Sequence, residues 1–193
     1  MKTISLLLVS AMVTVGSYAQ DAMERTVMVG GAEMHQSKNI VANAMNSKDH
    51  TTLVSAVKAA GLVQTLQGPG PYTVFAPTNE AFGKLPSGSV ESMLQPKNKA
   101  MLSKALTYHV IDGKWDSMDL AAQIAANGGT ASLPTLQGGS LKFTMSGNKI
   151  VITDENGGTS SITIKDIYQS NGVTHVVDTV LMPTNDKKQR VNM

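Results

Sequence analysis

Residues 171–183, Asn-Gly-Val-Thr-His-Val-Val-Asp-Thr-Val-Leu-Met-Pro, constrain the fold more than any other part of the chain. Asn171-Gly172 is a turn signal, because both residues tolerate positive φ. The run after Gly172 is β-branched and apolar, and Pro183 ends it. Strand alternation puts Val173, His175, Val177, Thr179 and Leu181 on one face. It puts Thr174, Val176, Asp178, Val180 and Met182 on the other. A strand apolar on both faces belongs in the middle of a fold. The sequence thus predicts a buried strand reaching almost to Pro183.

A second stretch, residues 71–82 (Pro-Tyr-Thr-Val-Phe-Ala-Pro-Thr-Asn-Glu-Ala-Phe), carries equal weight. Tyr72 to Phe75 reads as a short buried strand, stopped by Pro77, which has no N–H for a ladder. Thr78 is placed to N-cap a helix through its hydroxyl, with Glu80 favourable in the first turn. Between the two stretches lies Tyr108-His109. An Ala-Pro-Thr-Asn-x-Ala-Phe box, a central Tyr-His and a closing Asn-Gly-Val-x-His-Val-x-Asp-x-Val-Leu-x-Pro box, in that order, resemble the fasciclin-type (FAS1) domain. The resemblance covers roughly residues 39–183. It implies an α+β fold, helices packed on a β-sandwich or wedge, and an adhesion or binding module rather than an enzyme.

The N-terminus reads as a targeting segment. Lys2 precedes a mostly apolar run from Ile4 to Val15, and Ser17-Tyr18-Ala19 supplies small residues before a cut. That run is short for a bilayer span, and no later stretch is apolar enough to form one. Residues 1–19 are therefore expected to be a signal peptide and the mature chain to be exported, secreted or periplasmic. The rest suits one domain, large enough to bury roughly 70% of its unfolded surface. It must do so without disulfides, since the chain has no Cys. The formal net charge of +2, with scattered charges, argues against nucleic acid or an anionic membrane as partner.

Expected organisation is a lead-in over residues 20–37, the domain over 38–184 and a polar tail over 185–193. In the lead-in, Thr26 to Val29 reads as a short strand ended by Gly30-Gly31. Ser37 or Asn39 caps a helix over Ile40 to Met45, and Thr52 to Ala60 is amphipathic with Gly61 beyond it. Ser87 or Ser89 caps a short helix, residues 97–107 form another, and Tyr108 to Ile111 reads as a strand. Asp116 or Ser117 caps a helix through Ile124. From Thr130 the pattern is β: Thr130 to Leu136 is an edge strand because of Pro134, then come Leu141 to Met145, Lys149 to Thr153 and Ser160 to Ile164. Helices thus fill the first half and antiparallel strands the second.

His109 and His175 are the side chains that draw a chemical reading, as a metal pair, a base or a pH switch. The alternative, a histidine hydrogen-bonded inside a strand-rich core, fits an isolated His among valines better. No Cys and no metal-spaced His pair exist, so neither metal nor cofactor is expected. Asp178 lies among apolar residues and needs a donor. No nucleophile elbow, phosphate loop or dinucleotide fingerprint occurs. Phe75, Pro77, Thr78, Asn79, Phe82, Asn171, Gly172, His175, Asp178 and Pro183 are read as framework. The resemblance implies a binding surface at Tyr108-His109 and at Lys165-Asp166-Ile167-Tyr168, for an extracellular protein or polysaccharide. Trp115, the only Trp, is either a sugar-stacking platform or a plug at the core edge. Rival readings are an exported hydrolase of sugar or acyl substrates and a periplasmic structural protein that forms homo-oligomers.

Overall fold

The computed structural model describes residues 26–184; the expected signal peptide and C-terminal tail lie outside them. In chain order the elements are β1 (Val27–Val29), β2 (Ala32–Met34), α1 (Ile40–Ala44), α2 (Thr51–Ala60), α3 (Val63–Leu66), β3 (Tyr72–Pro77), α4 (Asn79–Gly83), α5 (Ser89–Met93), α6 (Lys99–Tyr108), β4 (Val110–Asp112), α7 (Ser117–Ala126), β5 (Thr130–Pro134), β6 (Ser140–Ser146), β7 (Lys149–Thr153), β8 (Thr159–Gln169) and β9 (Gly172–Val177). This is the α+β arrangement expected, with six of the helices before β4.

Every residue of β9 is buried. It sits inside a seven-stranded sheet of order β4-β3-β9-β8-β7-β6-β5. The sheet is mixed rather than purely antiparallel: β9 pairs parallel with β3, from Tyr72↔Gly172 to Pro77↔Val177. The close approach at the start of this pair explains Gly172, since a Cβ there would run into the Tyr72 carbonyl. The sheet's ends meet through an Ile111↔Thr135 bridge and a Leu136 N–H to Val110 carbonyl bond of 2.8 Å, which makes a nearly closed wedge.

The two faces of the central strands feed two cores. Val74 and Ala76 of β3 join Ile40, Leu53, Val57 and Leu106 beneath the helices. Phe75, between them in sequence, points the other way, with Tyr108, Leu120, Phe143, Ile152 and Val177 inside the wedge. Each such side chain contributes roughly 1.5–3 kcal/mol by leaving water. A third cluster joins Val29 and Met34 of the β1–β2 hairpin to Ile167 and Val176. The described part of the lead-in, residues 26–37, is thus packed onto the domain through this hairpin, of which its expected strand is half.

The caps follow the sequence. Asn39 Oδ1 accepts the Ala42 N–H at 2.8 Å, Thr78 Oγ1 accepts the Ala81 N–H at 3.2 Å, and Asp116 forms a capping box with Asp119. Gly61 closes α2 in the left-handed region. At α5 neither serine caps; Gly88 occupies that position without a side-chain bond.

Several expected strands have different bounds. β3 does not stop at Phe75 but runs through Ala76 and Pro77, because its parallel ladder with β9 continues to Pro77↔Val177, and β5 ends at Pro134 rather than Leu136. β9 stops at Val177, because the Asp178 carboxylate takes the Ser161 N–H at 2.8 Å that a continuing strand carbonyl would have taken. Tyr108 and His109 end α6 instead of opening a strand, since the His109 ring bonds back to the Ala105 carbonyl at 2.8 Å and extends the helical pattern. β8 runs through Ile167 to Gln169, its register shifted twice against β9. Asp166 sits in the second shift with a φ of 60°, a left-handed conformation that Asp tolerates better than most residues.

Candidate functional site

His175 holds the β8 irregularity from the neighbouring strand. Its Nδ1 accepts the Asp166 N–H at 3.2 Å, so the ring proton is on Nε2 and is donated to the Trp115 carbonyl at 2.9 Å. The ring stacks on Phe75 with 5.6 Å between centroids and is 0% exposed. Burial holds its pKa below the usual histidine value; the Trp115 bond and the charges of Asp166 and Asp116 oppose this, and Lys165 reinforces it.

Asp166, turned by this contact, sends its carboxylate to the start of α7. Oδ1 accepts the Ser117 N–H at 2.7 Å and Oδ2 accepts the Ser117 hydroxyl at 2.5 Å. The carboxylate thereby satisfies an N–H that α7 leaves free at its first turn. Ile167 is buried, while Lys165 is exposed. Tyr168 is half-buried, its hydroxyl donating to Asp116 Oδ2 at 3.1 Å and its ring lying 4.6 Å from the Lys114 ammonium. Burial and the Asp116 carboxylate push the Tyr168 pKa up to about 12.

Tyr108 and His109, read from the sequence as part of a binding surface, are both buried, at 0% and 4% exposure. The Tyr108 hydroxyl donates to the Ser140 carbonyl at 2.9 Å and accepts the Glu155 N–H at 3.1 Å, tying α6 to the β-rich half. His109 Nδ1–H donates to Ala105, and Nε2 accepts the Leu181 N–H at 3.0 Å. Burial again lowers its pKa, against the Ala105 bond and the Asp154 charge.

The framework residues bind their own chain. Asn171 Oδ1 accepts the Ile40 N–H at 3.0 Å, and Nδ2 donates to the carbonyls of Leu66 at 2.8 Å and Gly68 at 2.9 Å. Asn79 accepts the Thr52 N–H at 3.0 Å and donates to the Lys48 carbonyl at 2.8 Å. Asp178 is half-buried, which raises its pKa, but the donors of Ser161, Ser160 and Thr179 outweigh that and bring it below the usual carboxylate value. Phe82 packs under the helices, Pro77 closes β3, and Pro183 lies in irregular chain. Trp115 is partly buried against the wedge core, its indole N–H on the Asp112 carbonyl at 3.1 Å.

His109, His175 and Asp178 do not share a cleft chemistry. His109 borders an apolar cavity of about 40 Å³ under α1 and α2, while His175 and Asp178 each hold separate partners. Among the described residues no group of three or more His, Asp or Glu side chains could hold a metal ion, and no helix is long and apolar enough to cross a membrane. Sequence reasoning passed over Ser117 as a partner of Asp166. Nothing in the spacing of residues 117 and 166 signals the contact, although Ser117 sits at a recognisable helix start.

Known proteins share this fold. The fasciclin domain family model matches residues 48–183. Protein sll1483 of Synechocystis is 40% identical over 172 residues, covering 89% of this chain and 88% of that protein. The pig transforming growth factor-beta-induced protein ig-h3 is 37% identical over 140 residues, which is 71% of this chain and 18% of that longer one. A solved FAS1 domain pair from the insect cell adhesion molecule fasciclin I superposes with a TM-score of 0.67 at 17% identity, over 86% of this chain and 60% of that one.

Proposed function

Because the chain belongs to the fasciclin domain family, we propose that it is an exported, non-enzymatic adhesion module. It holds an extracellular protein or polysaccharide by surface complementarity, without turnover. One observation carries this reading: the polar groups of the motifs are already engaged with their own chain. His109, His175, Asp166, Asp178 and Asn171 all hold backbone groups in place. A catalytic centre needs such groups aimed at a substrate; here they fix strands and helix ends.

Recognition then falls to what this framework presents. Lys165, Tyr168 and Lys114 lie at the surface beside the start of α7, whereas Tyr108, His109 and Ile167 are buried and present nothing to a ligand. The test is binding of the chain from Gln20 onward to an array of matrix proteins and extracellular polysaccharides, beside Lys165→Glu and Tyr168→Ala. Saturable binding weakened in both variants is expected, with both variants still folded at the assay temperature. Hydrolysis of sugar or acyl ester substrates by the purified chain would overturn the reading.

A further inference from the structure

The ladder between β7 and β8 ends early. Its registered pairs are Thr153↔Thr159, Ile152↔Ser160 and Val151↔Ser161. Yet β7 begins at Lys149 and β8 continues to Gln169. Beyond Ser161 the strands part: β8 stays with β9 through its register shifts, while β7 stays with β6 down to Ser146↔Lys149. The first turn of α7 stands across the gap. The result is a groove of about 470 Å³.

Its chemistry is two-sided. Ile150 and Ile162 are buried among its walls. Met118 and Met145 border it with 75% and 43% exposure. Methionine is flexible and polarizable and adapts to varied apolar partners. Lys149 and Lys165 also line the groove, and none of its lining residues is acidic. The nearest carboxylate of β8, on Asp166, is occupied by Ser117. A strand edge opened beside apolar and cationic side chains is a setting for an added strand.

We propose that this groove docks an extended, acidic segment of a partner protein. An apolar side chain enters between Met118 and Met145, and carboxylates on either side of it meet Lys149 and Lys165. The proposal rests on reading the chain as a binding module and gives the chemistry of one partner. Charge complementarity selects an acidic ligand. The exposed methionines select a peptide over an acidic polysaccharide, which brings carboxylates without apolar side chains.

The test uses fluorescence anisotropy of three labelled peptides against the full chain: alternating Glu and Val, alternating Lys and Val, and alternating Glu and Ser. The Glu-Val peptide is expected to bind best, and more weakly as salt rises. Its affinity should fall about tenfold or more in Lys149→Glu/Lys165→Glu and in Met118→Ser/Met145→Ser, but not in the distant Lys97→Glu. Equal binding of the Lys-Val peptide, or no loss in the groove variants, would overturn the proposal. So would polygalacturonate binding that depends on both lysines while the peptides fail. If the peptides fail but the chain still holds a matrix ligand through Tyr168, the groove proposal falls and the module reading stands. If nothing is held, both fall.

Discussion

His109 and His175 carry opposite tautomers. His109 accepts the Leu181 N–H through Nε2 and donates from Nδ1; His175 accepts the Asp166 N–H through Nδ1 and donates from Nε2. Each ring sits between one backbone donor and one backbone acceptor. A second proton would set an N–H against an N–H in a buried site, so both rings are held neutral.

Stability should therefore fall in mild acid. His109, His175 and His50 all have folded pKa values below the ordinary histidine value, with burial the largest cause. Unfolded histidines titrate near about 6.5. Below that pH the unfolded chain takes up protons that the folded chain refuses. Stability is complete above the unfolded pKa and declines as pH drops toward the folded values. The slope approaches about 1.4 kcal/mol per pH unit for each such histidine. Urea unfolding at about pH 7.5, 6.5 and 5.5 reads this directly, and a midpoint that does not move over that range would refute it.

His175→Ala should destabilise the fold by about 1–3 kcal/mol, because the Asp166 N–H and the Trp115 carbonyl lose their partner in a buried place. His175→Asn keeps an acceptor near the Nδ1 position and should lose less. Thermal melts of the two variants decide it. An unchanged midpoint for His175→Ala would mean that the ring is not part of the framework.

Asn171→Asp tests the staple between the helices and the closing strand. The amide donates to two carbonyls, of Leu66 and Gly68, where a carboxylate would be repelled. A cost of about 3 kcal/mol or more at neutral pH is expected, since a buried charge would lack compensation. The loss should shrink as the pH drops toward the carboxylate range and the new side chain takes up a proton. No loss at neutral pH would show that the amide donors are dispensable, and a loss that did not shrink in acid would show that the new charge is not its cause.

Residues whose partners are local were legible in the sequence. Asn39, Thr78, Asp116 and Gly61 announce helix ends by chemistry that acts within four residues, and the structure agrees. The buried β9 was legible from its two apolar faces. Contacts set by topology were not. The parallel β3–β9 pair joins Phe75 to His175 across 100 positions, and no local pattern records strand direction. The end of β9 at Val177 depends on Asp178 meeting Ser161 on another strand. The resemblance implies a binding surface at Lys165 to Tyr168, but β8, with its shifted register, buries Ile167 and turns Asp166 toward Ser117. The groove was invisible because it exists only where two strands fail to stay paired.

Asp166 separates backbone from side-chain effects. It is the one non-glycine residue with positive φ among the described residues, and its carboxylate carries two bonds to Ser117. Asp166→Asn keeps tolerance for the left-handed conformation and one acceptor for the Ser117 N–H, so it should cost about 1 kcal/mol. Asp166→Gly relieves the backbone but gives up both bonds and should cost more. Asp166→Ala gives up both bonds and places a Cβ in a disfavoured conformation, for a total of about 2–4 kcal/mol. The expected order of loss in urea unfolding is Asn, then Gly, then Ala. Equal losses for Gly and Ala would show that the φ of Asp166 stores no strain. This order bears on binding too. A ligand lost on Asp166→Ala would report a loosened start of α7 as readily as a lost contact, whereas Lys165→Glu changes the surface and leaves the Ser117 bonds in place.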